Sequence, residues 1–236
     1  MLDKDIVVPK SIAIIMDGNG RYAAKKNMPR ALGHKAGCDN LEIILEECVR
    51  LDVKFLTVYA FSTENWSRSE SEINALMELF KLYLPRIKEK AKKNNVRVKF
   101  IGVIDKFEKD VYAGCLDLIN ETKNMTGTTF VIALNYGGRD EIIRAVNKIC
   151  DDFKNHNDLI IDEKLFEQYL DTKDIDNPDL VIRTSGEKRI SNFLLWQSAY
   201  SEYYFTDLFW PEFNIEELHK AIIDYNKRER RFGGRK

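Results

Sequence analysis

Short apolar runs alternate along the chain with longer segments in which apolar residues recur at helical spacing. We predict buried strands at residues 12–16, 55–61, 96–101, 129–134 and 180–182. Most of these runs are continuous in apolar residues rather than alternating with polar ones. Such continuity is typical of strands that are covered on both faces, as in a parallel sheet.

The segments between these runs carry the pattern of amphipathic helices. The spacing of Leu41, Ile44, Leu45, Cys48 and Val49 places their side chains on one face of a helix. A second helix is predicted around residues 142–149, after a glycine-containing turn at residues 136–138.

A third helix has a predicted start as well as a predicted apolar face. Ser69 and Glu72 have the spacing of a capping box, in which each side chain bonds to the other residue's backbone N–H. We expect Pro85 to bend or end this helix, since proline cannot donate the helical hydrogen bond. The apolar stripe of the helix consists of Ile73, Leu76, Met77 and Phe80.

This alternation predicts an α/β fold in which a mostly parallel central sheet is flanked by helices. The chain has 236 residues and no internal repeat or low-complexity linker, so we expect a single domain over residues 1–236. Ligands of such sheets bind beyond the carboxyl ends of the strands. The residues that follow each strand are therefore the candidates for a functional site.

Composition narrows the classes of function. Lys and Arg total 37 against 38 for Asp and Glu, a formal net charge of −1, so we expect no nucleic-acid partner. No apolar run approaches the roughly 18 residues that span a bilayer, and residues 1–10 lack the apolar core of a signal peptide. We therefore expect a cytoplasmic protein. Four widely spaced cysteines predict buried thiols rather than disulfides or a metal site: Cys38, Cys48, Cys115 and Cys150.

The first predicted strand leads into the turn Asp17-Gly18-Asn19-Gly20-Arg21. Two glycines allow a tight turn whose backbone N–H groups point into one concavity, which suits a phosphate. Arg21 adds a cationic donor, and Asp17 adds the hard oxygen ligand that Mg²⁺ prefers. An ordinary strand-to-helix turn is the alternative, because these dipeptides are common in turns.

Arg30 and His34 follow this turn and lie on one face if the segment is helical. A lone histidine is more often structural than functional. The neighbouring arginine and the glycine-rich turn make His34 a candidate ligand for an anion.

The second predicted strand ends in an unusually polar cluster at residues 61–68. A helix-entry loop is the simple interpretation of this cluster. Capping requires only Ser69 and Glu72, however, and it leaves Asn65, Trp66 and Arg68 without a structural role.

The last predicted strand ends at Arg183, with Arg189 and Ser191 in the loop that follows. Guanidinium groups bind phosphate oxygens bidentately, so these residues form a candidate diphosphate clamp, with a solvated charged loop as the alternative. Further on, Glu202 is a candidate second carboxylate for a metal ion, although an isolated glutamate is nearly always a surface residue.

Taken together, these stretches resemble the undecaprenyl diphosphate synthase family of cis-prenyltransferases. The matching segments are residues 16–21, 33–34, 61–68, 135–139 and 183–193, in this order, and the resemblance continues to residues 230–234. One position departs from the family's usual pattern, since Tyr22 stands where tryptophan is usual; we expect altered affinity rather than lost activity.

The resemblance implies a Mg²⁺-dependent, homodimeric enzyme with a hydrophobic tunnel between sheet and helices. It places the catalytic and metal-binding aspartate at Asp17, a second metal-binding carboxylate at Glu202, and a role in proton removal at Asn65. The implied substrate-binding residues are Gly18, Asn19, Gly20, Arg21, Tyr22, Arg30, His34, Ser62, Thr63, Glu64, Trp66, Arg68, Arg183, Arg189, Ile190 and Ser191.

The implied reaction condenses isopentenyl diphosphate units onto an allylic diphosphate. Farnesyl diphosphate as the starter, and undecaprenyl diphosphate as a lipid-carrier precursor for cell-wall synthesis, follow by analogy only. The stripe at Leu76 and Phe80 is a candidate tunnel wall, with ordinary helix core as the alternative.

Three other interpretations stay open. The chain could be a non-catalytic partner subunit, although Asp17, Arg183 and Arg189 are all present. A phosphate-ester hydrolase would need a water-activating base, for which no His-rich or multi-carboxylate cluster is seen. The basic residues 227–236 are a candidate for peripheral membrane contact during product release, or simply a solvated tail.

Overall fold

The computed structural model describes residues 6–154 and 160–229. The strands are β1 (Ser11–Ile15), β2 (Phe55–Ser62), β3 (Arg97–Ile101), β4 (Thr129–Tyr136), β5 (Leu180–Arg183) and β6 (Glu202–Phe205). The helices are α1 (Asn19–Lys25), α2 (Arg30–Arg50), α3 (Glu70–Lys93), α4 (Lys109–Thr122), α5 (Gly138–Phe153), α6 (Glu163–Glu167) and α7 (Ile215–Asn226). Short 3-10 helices cover Thr63–Ser67, Ile104–Lys106 and Trp210–Glu212.

The six strands form one sheet in the order β3-β4-β2-β1-β5-β6, and every neighbouring pair is parallel. The predicted α/β class with a parallel sheet flanked by helices is confirmed. All five predicted strands are present, and the sixth, β6, was not predicted. Among the described residues, no helix is long and apolar enough to cross a membrane.

The central strand β1 shows why the apolar runs were continuous. All five of its residues are buried. Ile12 and Ile14 belong to the larger core beneath α2, α3, α4 and α7, while Ala13 and Ile15 belong to the core on the opposite face of the sheet. Side chains alternate between faces along a strand, and here both faces are covered, so the polar half of the usual alternation is missing.

Helix α3 begins where the sequence predicted and ends later. The Ser69 hydroxyl accepts a hydrogen bond from the Glu72 backbone N–H (3.4 Å) and caps the helix. The second half of the predicted capping box is absent, since the Glu72 side chain turns to cationic partners instead. Helix α3 continues through Pro85 to Lys93, so Pro85 does not end it, and the alternative that Pro85 bends the helix stays a prediction. The last turn contains Lys90, Lys92 and Lys93, whose positive charges interact favourably with the negative end of the helix dipole.

Candidate active site

A polar pocket of about 640 Å³ lies at the carboxyl ends of the central strands. In a parallel sheet this edge collects the loops that follow every strand, which is why distant parts of the sequence meet there. The residues that line the pocket are Ile15, Met16, Asp17, Gly18, Asn19, Gly20, Arg21, Arg30, His34, Tyr59, Ala60, Ser62, Glu64, Asn65, Arg68, Leu76, Arg139, Arg183, Ser191 and Asn192.

The glycine-rich turn after β1 is shaped by close packing. Gly18 has φ +102°, and a Cβ there would lie 2.8 Å from the Ser185 hydroxyl oxygen. At Gly33, on α2, a Cβ would lie 2.1 Å from the Asn19 carbonyl oxygen. Glycine is therefore required at both positions, by backbone conformation and by the contact between α1 and α2. This contact holds the start of α1 against the pocket.

Asp17 lies between two guanidinium groups. Its Oδ2 atom is 2.9 Å from the Arg183 Nη2 atom and 3.1 Å from the Arg21 Nη2 atom. The Arg183 side chain is 5% exposed, and its Nη1 atom donates to the Ser191 hydroxyl (2.7 Å) and to the Arg189 carbonyl (2.5 Å). The strand end thus brings one carboxylate and two cations together at the pocket.

A second charged cluster centres on Glu72, whose side chain is 9% exposed. Its Oε1 atom lies 2.9 Å from Arg68 Nη1, 3.2 Å from Arg30 Nε and 3.4 Å from His34 Nε2. Three side chains of the pocket wall, from α2 and from the loop after β2, are therefore oriented by one buried carboxylate. Sequence reasoning missed this role, because it assigned the Glu72 side chain to the helix cap.

The pKa of His34 is lowered from its ordinary value of 6.5. Burial is the largest cause and outweighs the opposing effect of Glu72, while Arg68 and Arg30 add to the lowering. His34 is therefore neutral at neutral pH in the free protein, so the positive charge of this wall comes from the two arginines.

The loop after β2 is fixed from both ends. The Ser62 backbone N–H donates to the Asn65 Oδ1 atom (3.0 Å), which holds that amide at the pocket wall. Glu64 accepts a hydrogen bond from the Asn192 amide (2.8 Å). Burial alone would raise the pKa of Glu64, but this and other hydrogen bonds outweigh it and lower the pKa. Glu64 is thus a stable anion that ties the β2 loop to the loop after β5.

An apolar cavity of about 100 Å³ continues from the polar pocket into the protein. It lies between helices α2 and α3 and the face of the sheet formed by β2, β3 and β4. The residues that line both spaces are Met16, Asn19, His34, Ala60 and Leu76. Of the predicted tunnel stripe, Leu76 and Phe80 line the cavity, whereas Met77 is a core residue that is 3% exposed. The polar pocket and the apolar cavity therefore meet at one junction.

Thirteen of the predicted site residues line the pocket, and six described ones do not. The Trp66 ring packs against Phe61 and Phe107, and its Nε1 atom donates to Asn135 (2.8 Å). The remaining five are Tyr22, Thr63, Arg189, Ile190 and Glu202. Arg139 and Asn192 line the pocket and were not assigned, although both lie in the matching segments.

Thr63 and Arg189 do not line the pocket, but they support the loops that shape it. Thr63 lies against Gly137, where a Cβ would be 2.7 Å from the threonine hydroxyl oxygen. The Arg189 side chain pairs with Glu187 (2.5 Å), and its backbone carbonyl accepts the bond from Arg183.

Glu202 does not lie beside Asp17 within this chain, and its role as a second metal-binding carboxylate stays a prediction. Glu202 pairs in register with Leu180 at the amino end of β5, whereas Asp17 follows the carboxyl end of β1. At about 3.3 Å per residue, the three residues from Leu180 to Arg183 alone separate the two levels by about 10 Å. The Glu202 carboxylate instead pairs with Arg228 (3.0 Å).

Of the residues described, Asp17 and Glu64 are the carboxylates that line this pocket, and the assignment of Asp17 as a metal ligand stays a prediction. Among the described residues no group of three or more histidine, cysteine, aspartate or glutamate side chains could hold one. This donor set fits Mg²⁺ bound by one protein carboxylate together with substrate phosphates, a common arrangement for that ion.

Comparison with known proteins agrees with the fold. The sequence profile of the family described as "Putative undecaprenyl diphosphate synthase" matches residues 15–233. An isoprenyl transferase of Clostridium tetani is 52% identical over 229 residues, which cover 96% of this chain and 90% of the relative.

Two solved structures share the fold. Lavandulyl diphosphate synthase from Lavandula x intermedia, in complex with dimethylallyl diphosphate, has a TM-score of 0.92 at 33% identity and covers 96% of this chain and 98% of its own. A probable undecaprenyl diphosphate synthase from Campylobacter jejuni has a TM-score of 0.81 at 33% identity, and the match covers 97% of this chain and 100% of that chain. The chain belongs to the undecaprenyl diphosphate synthase family of cis-prenyltransferases, which transfer prenyl groups.

Proposed function

We propose that this protein is a Mg²⁺-dependent cis-prenyltransferase that condenses isopentenyl diphosphate with an allylic diphosphate to build a long polyprenyl diphosphate. The observation that carries the proposal is the junction of the cationic pocket with the apolar cavity. A prenyl diphosphate has a head with several negative charges and a hydrocarbon tail, and these two spaces match its two parts. Buried tail surface contributes about 0.8 kcal/mol per CH₂ group.

The allylic diphosphate would bind at the turn after β1, where Arg21 and Arg30 face the pocket and His34 stands at the entrance to the apolar cavity. The isopentenyl diphosphate would bind at the end of β5, held by Arg183 and Ser191. This assignment puts the two reacting groups on either side of Asp17, whose carboxylate already contacts Arg183.

In the reaction, the C1–O bond of the allylic substrate breaks and its electron pair leaves with the diphosphate. The double bond of isopentenyl diphosphate then bonds to C1, and loss of a proton from C2 creates the new double bond. When bound through Asp17, Mg²⁺ would supply Lewis-acid stabilisation of the departing diphosphate. The arginines stabilise the same developing charge, and fixed positions of both substrates lower the entropic barrier. The proton lost from C2 passes to an oxygen of the departing diphosphate, and we assign Asn65, held at the pocket wall, a role in orienting this proton removal.

We propose farnesyl diphosphate as the starter and undecaprenyl diphosphate, a lipid-carrier precursor for cell-wall synthesis, as the product, in the cytoplasm. The similarity to a structure with bound dimethylallyl diphosphate makes that shorter allylic diphosphate the competing starter to test. We also propose a homodimer. The apolar side chains of Ile143 (61% exposed) and Val146 (42% exposed) on α5 offer a surface for a second copy.

The test is incubation of the purified protein with labelled isopentenyl diphosphate, Mg²⁺ and either farnesyl or dimethylallyl diphosphate, followed by chain-length analysis of the butanol extract. We expect a ladder of polyprenyl products that is lost with a chelator and in Asp17→Ala. Folded protein that releases no extractable label with either starter contradicts the proposed activity and favours the non-catalytic subunit.

A further inference from the structure

The far end of the apolar cavity contains a charged cluster. The helix α2 stripe that faces the cavity runs from His34 through Cys38, Leu41 and Leu45, and Glu42 lies within it. The Glu42 side chain is only 8% exposed. Burial of a carboxylate beside apolar groups is costly unless it is paired, so its partners decide what it does there.

The partners of Glu42 lie on the neighbouring helix. Its Oε1 atom is 3.0 Å from Arg86 Nη2, and its Oε2 atom is 2.9 Å from Lys90 Nζ, both on α3. Lys90 also pairs with Glu46 (2.7 Å), one turn further along α2. Arg86 and Lys90 are partly exposed, at 43% and 33%, so the cluster extends from the cavity wall to solvent.

The distance between this cluster and the polar pocket suggests its function. Glu42 is eight residues beyond His34, about 12 Å along α2 at 1.5 Å per residue. Lys90 is fourteen residues beyond Leu76, about 21 Å along α3. In the described part of the chain, Glu42 and Lys90 are the charged side chains that line the cavity, and the neutral His34 lies at its entrance.

We propose that the Glu42–Lys90 pair is the stop that limits the length of hydrocarbon this cavity accepts, and so helps to set product length. A tail that reaches the pair has to displace or desolvate two paired charges before it advances, whereas each earlier step buries it against apolar side chains. The pair also joins α2 to α3, the two helices that must separate if the cavity is to widen around a long chain. This inference rests on the proposed function.

The first test compares product ladders. In Glu42→Ala/Lys90→Ala the stop is removed, and we expect the most abundant product to lengthen by at least one five-carbon unit. Glu42→Gln keeps the side-chain volume and removes the charge, which separates an electrostatic stop from a steric one. The matched control is Lys92→Ala on the same helix, since Lys92 pairs with Glu121 (2.8 Å) and does not line the cavity.

An unchanged ladder in the folded double variant overturns the proposal, and so does an equal shift in Lys92→Ala. The second test is independent of catalysis. The affinity of n-alkyl phosphates of increasing chain length is measured by calorimetry; in the native protein we expect the gain per added CH₂ to stop at one length, and in the double variant at a greater one.

If the native protein makes no polyprenyl product, the proposed function fails while the alkyl series still decides the stop. The same break point in both proteins refutes the stop, even where the enzyme is active.

Discussion

Replacing Glu72 with glutamine removes one negative charge from a position where Arg30, Arg68 and His34 converge, while the size of the side chain is kept. The Arg68 contact (2.9 Å) is a hydrogen bond to a largely buried charged group, which contributes about 1.5–3 kcal/mol. The Arg30 side chain is 62% exposed, so its pair adds only about 0–1 kcal/mol after solvent screening. We therefore expect Glu72→Gln to lower the free energy of unfolding by about 2–3 kcal/mol.

For a chain of this size, 1 kcal/mol changes Tm by roughly 2–4 °C, so the expected loss is about 4–12 °C. The assay is thermal unfolding with and without inorganic diphosphate. An added diphosphate supplies negative charge to the same cations, and we expect it to raise Tm more in the variant than in the native protein. Turnover should fall as well, because the arginines lose their fixed orientation.

The matched control is Glu70→Gln, an exposed acidic residue in the same first turn of α3. It removes the same net charge and the same favourable interaction with the helix dipole, about 0.3–1 kcal/mol, but leaves the cluster intact. If the two variants unfold at the same temperature, the buried cluster does not contribute to stability and the reasoning is refuted.

Three further outcomes are expected. Asp17→Asn should reduce kcat by at least about 100-fold, as for loss of one group that stabilises transition-state charge, while circular dichroism stays native; near-native turnover would exclude Asp17 from the chemistry. The pKa of His34 is lowered in the folded protein, so below about pH 6.5 the unfolded state binds a proton that the folded state does not. Acidification from pH 7.5 to 5.5 should therefore lower Tm more in the native protein than in His34→Asn. Equal falls of Tm in the two proteins would contradict this. Gly33→Ala should destabilise by about 1–3 kcal/mol, because its Cβ would overlap the Asn19 carbonyl oxygen, and a chemical denaturation midpoint equal to that of the native protein would exclude the overlap.

The sequence predicted the central part of the fold because that part is determined by local composition. Strands buried on both faces consist of apolar runs that no other element explains as well. This reasoning did not predict the edge strand β6. Its residues, Glu202 to Phe205, are all only partly buried, and its pattern lacks a continuous apolar run. Edge strands have one covered side and one open side, so composition constrains them weakly.

The candidate site was predicted as far as it follows directly from strand ends. Asp17, Arg183 and Ser191 lie where the parallel-sheet rule placed them. Glu72 and Glu202 show the limit of that rule. The tertiary structure shows that the Glu72 side chain points into a cluster of cations. It also shows that Glu202 lies at the amino ends of the strands, away from the pocket.

The predictions on residues 230–236 and 1–5 lie outside the described residues. The candidate membrane-contact segment, residues 227–236, lies outside the described residues from residue 230 onward. Liposome binding before and after removal of residues 227–236 is the measurement that separates a solvated segment from a lipid-contacting one.

Because every strand runs the same way, the turns at the amino edge of the sheet are remote from substrate entry. Asp52, between α2 and β2, is one of them, and its side chain is 84% exposed. A single cysteine introduced there, with the exposed Cys150 replaced, would carry a fluorophore or tether the enzyme to a surface with its pocket facing outward. Because the strands are parallel, the pocket lies at their carboxyl ends and the opposite side of the molecule is free for attachment. That side can be used for immobilisation and for following successive prenyl additions on single molecules.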